Sequence, residues 1–182
     1  MKKSGVFYAI DFNGKCGGEK IQNAIEVALK ENGNAFKTII VSPEGPDKHR
    51  KWIIKNSIKI PSNTTLILEN CYIFLDDNAR DNLITNINHK EGNENIHILG
   101  IGRPILDGNA SNQGRKGRFD RNSFMSGIYF VKVKNFSIKN IKIGPTTGHA
   151  IVPENVENGE ISDIFLNQDG NCLLYTSPSP RD

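Results

Sequence analysis

A 23-residue self-match constrains this chain more than any other feature of its sequence. Shifted by 23 positions, Ile128 falls on Ile151, Val133 on Val156, Asn135 on Asn158 and Ile138 on Ile161. Asn140 then falls on Asp163, Ile141 on Ile164 and Ile143 on Leu166, and no gap is needed. Each copy holds two strand-like pulses broken by Asn or Asp, at 137–143 and 160–166. A single turn of such strands cannot bury its own apolar face, but turns stacked at the inter-strand spacing of about 4.8 Å build a continuous core. The Asn or Asp between pulses suits a tight corner, where it tolerates unusual φ and its side chain bonds nearby backbone. Looser copies begin at Glu94-Asn95-Ile96 and Ser62-Asn63-Thr64. An antiparallel β-sandwich also alternates, but it does not produce a gapless self-match with corner residues in register, so the pattern predicts a solenoid.

Upstream of the repeat, Ile21, Ala24, Ile25, Ala28 and Leu29 form one apolar helical stripe, with Gly33 placed to end it. Short β-branched runs follow at 38–42, 57–60, 65–68, 72–75, 96–99 and 105–106, separated by Asn, Gly and Pro. The 17 glycines and the isoleucine-rich apolar set agree with many turns and short strands. With 182 residues the chain is one domain of ordinary size.

Charge and cysteine usage exclude several classes. Lys and Arg number 23 against 20 Asp and Glu, a surplus of +3 that suits an acidic substrate and is too small for a nucleic-acid partner. No apolar stretch has the length of a membrane span. Met1-Lys2-Lys3 meets Asp11 before any apolar region develops, so no signal peptide is visible. The chain as given reads as cytoplasmic, and as secreted or periplasmic if its natural start lies upstream. The run 172–182, from Cys172 to Asp182, breaks every earlier pattern and reads as a translated sequencing adapter, a non-native tail. Without Cys172, Cys16 and Cys71 form neither a disulfide framework nor a metal cluster. Gly14, Gly17 and Gly18 lack the Lys-Ser/Thr ending of a phosphate-binding loop.

The order of motifs resembles the pectin-lyase-like superfamily, and glycoside hydrolase family 28 (polygalacturonase-like) in particular. The likeness runs over about residues 9 to 171. It begins at Asp11-Phe12-Asn13-Gly14 and the helix containing Ile21-Gln22-Asn23-Ala24-Ile25, then passes through Ile39-Ile40-Val41-Ser42-Pro43-Glu44-Gly45. Pro61-Ser62-Asn63-Thr64-Thr65-Leu66, Asn95-Ile96-His97-Ile98-Leu99-Gly100 and Ile105-Leu106-Asp107-Gly108 complete it. The resemblance implies an all-β, right-handed parallel β-helix with an N-terminal capping helix at about 20–32 and coils at about 37–171. Residues 1–171 would then be the N-terminal part of a single domain. It also implies a monomer acting on polysaccharide by inverting hydrolysis, without a cofactor. Lyases of the same fold, which would need calcium, and non-catalytic tailspike-like glycan binders remain alternatives.

Inverting hydrolysis needs one carboxylic acid and one carboxylate, roughly 6.5–9.5 Å apart. Asn167-Gln168-Asp169-Gly170 matches the family's N-x-D-G motif, which makes Asp169 the catalytic candidate and Asn167 a substrate contact; the bland reading is a turn Asp. His149, in Gly148-His149-Ala150, is either a sugar contact or a solvent-facing corner. Arg118 and Arg121, beside Arg115 and Lys116, stand in a long interruption of the repeat, where Arg grips carboxylates with two parallel hydrogen bonds; the alternative is a solvated loop. Asp76-Asp77 and Asp107 read as turns.

Overall fold

The computed structural model describes residues 5–114 and 125–167. Thirteen strands occur among them: β1 (Val6–Tyr8), β2 (Lys37–Val41), β3 (Trp52–Ile54), β4 (Ile58–Ile60), β5 (Thr64–Glu69), β6 (Tyr72–Leu75), β7 (Ile84–Asn86), β8 (Asn93–Ile101), β9 (Ile105–Asp107), β10 (Ile128–Val131), β11 (Val133–Ile143), β12 (Ile151–Glu154) and β13 (Glu157–Leu166). Every pairing between them is parallel. One sheet runs β1-β2-β5-β8-β11 and turns back through β9-β6-β3, with β13 also on β11; the other runs β12-β10-β7-β4. The chain therefore winds through three strand rows in turn, an all-β, solenoid-like stack of parallel turns.

The repeat's sequence register is the spatial register. Ile128 pairs with Ile151, and Ile138, Ile141 and Ile143 pair with Ile161, Ile164 and Leu166. Inward positions form columns along the stack: Ile39, Leu66, Ile98, Ile138 and Ile161 in one row, and Ile58, Ile84, Ile128 and Ile151 in another. All of these except Ile161 are almost fully buried, and each such side chain contributes about 1.5–3 kcal/mol relative to exposure.

The corners use the residues the sequence marks. Asn63, Asn95, Asn135 and Asn158 have φ of 56°, 54°, 54° and 53°, as do Asn140 and Asp163 at 54°. Asn and Asp occupy this left-handed region at low cost because their short side chains bond locally. The first four form a column of side-chain amides: Asn95 Nδ2 donates to Asn63 Oδ1 (2.7 Å), Asn135 to Asn95 (3.3 Å) and Asn158 to Asn135 (3.2 Å).

The helix α1 spans Gly17–Asn32 and packs Ile21, Ala24, Ile25 and Ala28 against the first turns. Gly33 ends it at φ 54°, donating its N–H to Leu29 O. The helix starts earlier than its apolar stripe because Asp47 Oδ2 accepts Gly17 N–H and Ile53 N–H, both at 2.7 Å. One carboxylate thereby satisfies an orphan helix donor and ties α1 to β3.

Candidate functional site

The connections from the β3-β6-β9 row to the β4-β7-β10-β12 row all lie at one corner of the stack. They are 55–57, 76–83, 108–127 and 144–150, and the chain enters the same corner again after Leu166. His149 lies in 144–150, and Asn167 directly after β13. Chain topology thus brings sequence positions far apart to one wall. Arg118, Arg121 and Asp169, together with residues 172–182, lie outside the described residues.

The feet of the arginine-bearing segment are fixed. Asn109, itself buried, donates to Leu75 O (3.0 Å) and Asp77 Oδ1 (2.7 Å), and its N–H reaches Asp107 Oδ1 (2.8 Å). Gln113 Nε2 donates to Asp76 O (2.9 Å) while its Oε1 accepts Arg80 N–H (2.9 Å). At the far foot, Met125 N–H donates to Thr147 Oγ1 (3.0 Å) and Gly127 N–H to His149 O (3.0 Å). The half-buried His149 is therefore on a loop strapped to the base of that segment. Asp76 and Asp77 lie in the loop after β6 and anchor it, in agreement with their reading as turns, whereas Asp107, also read as a turn, is the last residue of β9. Asn167 is exposed and its N–H continues the ladder onto Ile143 O at 3.0 Å.

Beside this corner, the β4-β7-β10-β12 row turns Lys59, Thr85, Tyr129 and Val152 away from its core column, Thr85 and Val152 buried there and Tyr129 half-buried, with Glu154 next along β12. Tyr129 O–H donates to Glu154 Oε2 at 2.7 Å. Burial, together with that hydrogen bond, pushes the phenol up to about 12, so it remains a donor at neutral pH. Thr85 Oγ1 donates its single proton to Tyr129 O (2.7 Å) and also lies 2.8 Å from His89 Nε2, so Nε2 carries the hydrogen there. The His89 ring stands edge-on to Tyr129 at 5.5 Å and 87°. The result is a rigid aromatic platform with a carboxylate at its edge. Sequence reading missed Tyr129, Glu154, Thr85 and His89. The alternation of Ile128-Tyr129-Phe130 carried the signal for Tyr129, because the residue between two inward positions must face out. Among the described residues, no three His, Cys, Asp or Glu side chains come together as a metal site.

No known protein-family profile matches the chain. It is 35% identical over 132 residues, 70% of its length, to the pre-neck appendage protein of Bacillus phage B103, and spans 14% of that protein. A solved structure of a proposed glycosyl hydrolase from Parabacteroides merdae ATCC 43184 matches with a TM-score of 0.67. That match covers 96% of this chain and 88% of the other at 15% sequence identity, a likeness of fold.

Proposed function

We propose that residues 1–171 are turns of a right-handed parallel β-helix, capped by α1, that acts on a polysaccharide bound across the outer face of the β4-β7-β10-β12 row. The observation that carries this reading is that His149 and Asn167 stand at one corner of the stack, beside the Tyr129–Glu154 pair. The half-buried Tyr129 ring offers its uncovered part to the apolar side of a pyranose ring. Glu154 supplies a carboxylate, and Asp169, two residues beyond Asn167, supplies the partner that inverting hydrolysis requires. Arg118 and Arg121 would grip substrate carboxylates bidentately, which favours a uronic-acid polymer of the pectic kind.

A second reading is favoured by the similarity to a phage appendage protein: a glycan-binding solenoid without catalysis. The same face would then hold saccharide, and Asp169 would be a turn residue.

Incubation with polygalacturonate separates them. New reducing ends that disappear in Asp169→Asn support the hydrolase, with at least a hundredfold loss expected for removal of a general acid or base. Retention of the polymer without new ends supports the binding protein. Unsaturated product ends point to a lyase, and no retention of any acidic polysaccharide overturns the glycan-directed reading.

A further inference from the structure

The outer face of the β3-β6-β9 row, continued by β11 and β13, carries a second feature that the proposed saccharide face does not use. Tyr72, Ile105, Lys142 and Phe165 pair in sequence across β6, β9, β11 and β13, forming one outward column beside the buried column Ile73, Leu106 and Ile143. Three strand spacings make this column about 14 Å long. At one end Tyr72 and Phe74 meet edge-to-face at 6.2 Å, and Lys51 Nζ lies 4.6 Å and 4.0 Å from the two ring centroids. At the other end the Arg103 guanidinium lies 5.3 Å from the Phe165 ring, which is 48% exposed. Lys142 stands between the ends.

Each end thus pairs an aromatic ring with a cation, and none of the three cations is ion-paired with a described carboxylate. Asp107 is the one acid in the neighbouring column. Its oxygens already accept from Tyr72 O–H and Asn109 N–H, so each has a donor within the protein. An aromatic face wants the apolar side of a flat, partly apolar ring, and the cations want carboxylates. A short run of uronic-acid residues presents both, in alternation along an extended chain.

We infer that this strip, from Lys51, Tyr72 and Phe74 to Arg103 and Phe165, is an ancillary binding surface for an acidic oligosaccharide, separate from the outer face of the β4-β7-β10-β12 row. It rests on the glycan-directed reading above. It would hold a polymer against the solenoid while another stretch of the same polymer occupies the β4-β7-β10-β12 face. Two weak sites linked by one ligand raise the apparent affinity through effective concentration.

Affinity electrophoresis of the whole chain in gels containing polygalacturonate tests the strip. Phe165→Leu keeps apolar contact with the turn below but removes the ring, and an Arg103→Gln, Lys142→Gln double variant removes charge from exposed or half-exposed positions. The expected result is an apparent dissociation constant raised about tenfold in each, the size of one lost stacking or charge contact. Arg103→Lys should recover part of the loss, and an uncharged galactan gel should retard none of the proteins. Retardation of the native chain that both variants leave unchanged overturns the strip while leaving the proposed function of the β4-β7-β10-β12 face intact. No retardation of the native chain by any acidic polymer overturns both.

Discussion

His97 shows how one outward position on a parallel sheet acquires a chemical character from its column. It pairs with Thr65 on one side and Ser137 on the other, and its Nδ1 lies 2.8 Å from Ser137 Oγ. Burial first, and then the Lys139 ammonium, hold its imidazole below the ordinary 6.5. The folded chain therefore binds fewer protons at this site than the unfolded chain. Its contribution to stability is present above about 6.5 and is lost as the pH falls from there to the lower folded value. His97→Gln retains a hydrogen-bonding side chain and removes the titration. Urea midpoints measured on both sides of pH 6.5 should fall less steeply toward acid in this variant; an unchanged slope would assign the acid sensitivity elsewhere. The corner asparagines are legible at this scale without any structure, because few other residues adopt positive φ at low cost. His97 was not legible, since its environment is set by residues on neighbouring turns.

At the level of elements, β11 and β13 are bound by shape as well as by their ladder. Gly159 pairs with Phe136, and a Cβ on Gly159 would run into the Phe136 ring. Phe136 itself packs edge-to-face on Phe130 at 5.7 Å and is buried. The large residue on one turn thus occupies the space vacated by the small one on the next. Gly159→Ala should cost about 1–3 kcal/mol by overpacking, and the cost should shrink in a Phe136→Leu background, where the space reopens. A double-mutant cycle by denaturant unfolding measures that coupling; additive costs would show that the close approach does not hold the turn. The self-match gives the pairing of Phe136 with Gly159 but not the reason for the glycine, because complementarity of volume is invisible to a hydrophobic pattern. The short strands β3 and β7 were also missed. Trp52 is buried beside charged Lys51 and its Nε1–H donates to Ser42 O at 2.9 Å, while Asn86 sits inward and bonds Val131 on both its N–H and C=O. Both look like loop residues until the third dimension supplies their partners.

The whole molecule is quasi-one-dimensional, each turn touching chiefly the turns beside it. β5 and β8 have a strand on each side, whereas among the described residues β13 pairs with β11 alone and β12 with β10 alone. Native-state hydrogen exchange should therefore be graded, with the slowest amides in β5 and β8 and faster ones in β12 and β13. Uniform protection across the turns would instead mean that the stack opens as a single unit. The β4-β7-β10-β12 face and the outer strip are properties of this scale as well. Each is assembled from successive turns, so neither exists on an isolated strand or hairpin.

By itself the sequence determined the stacking of parallel turns, the identity of the corner residues and the inward columns of the later repeat. Turns of equal length place each residue over the one a fixed number of positions later, so Asn135 and Asn158, 23 apart in sequence, become neighbours in space. Only the tertiary structure decided how the earlier turns join that stack. Asn63 lies under Asn95 at a separation of 32 and Asn95 under Asn135 at 40. Connections of unequal length change the sequence offset while leaving the hydrogen-bonded register intact, which hides those turns from any self-match. The same freedom decided which outward side chains meet, Tyr129 with Glu154 and Arg103 with Phe165. Burial constrains the inward column strongly, whereas outward partners are fixed only once the turns have stacked.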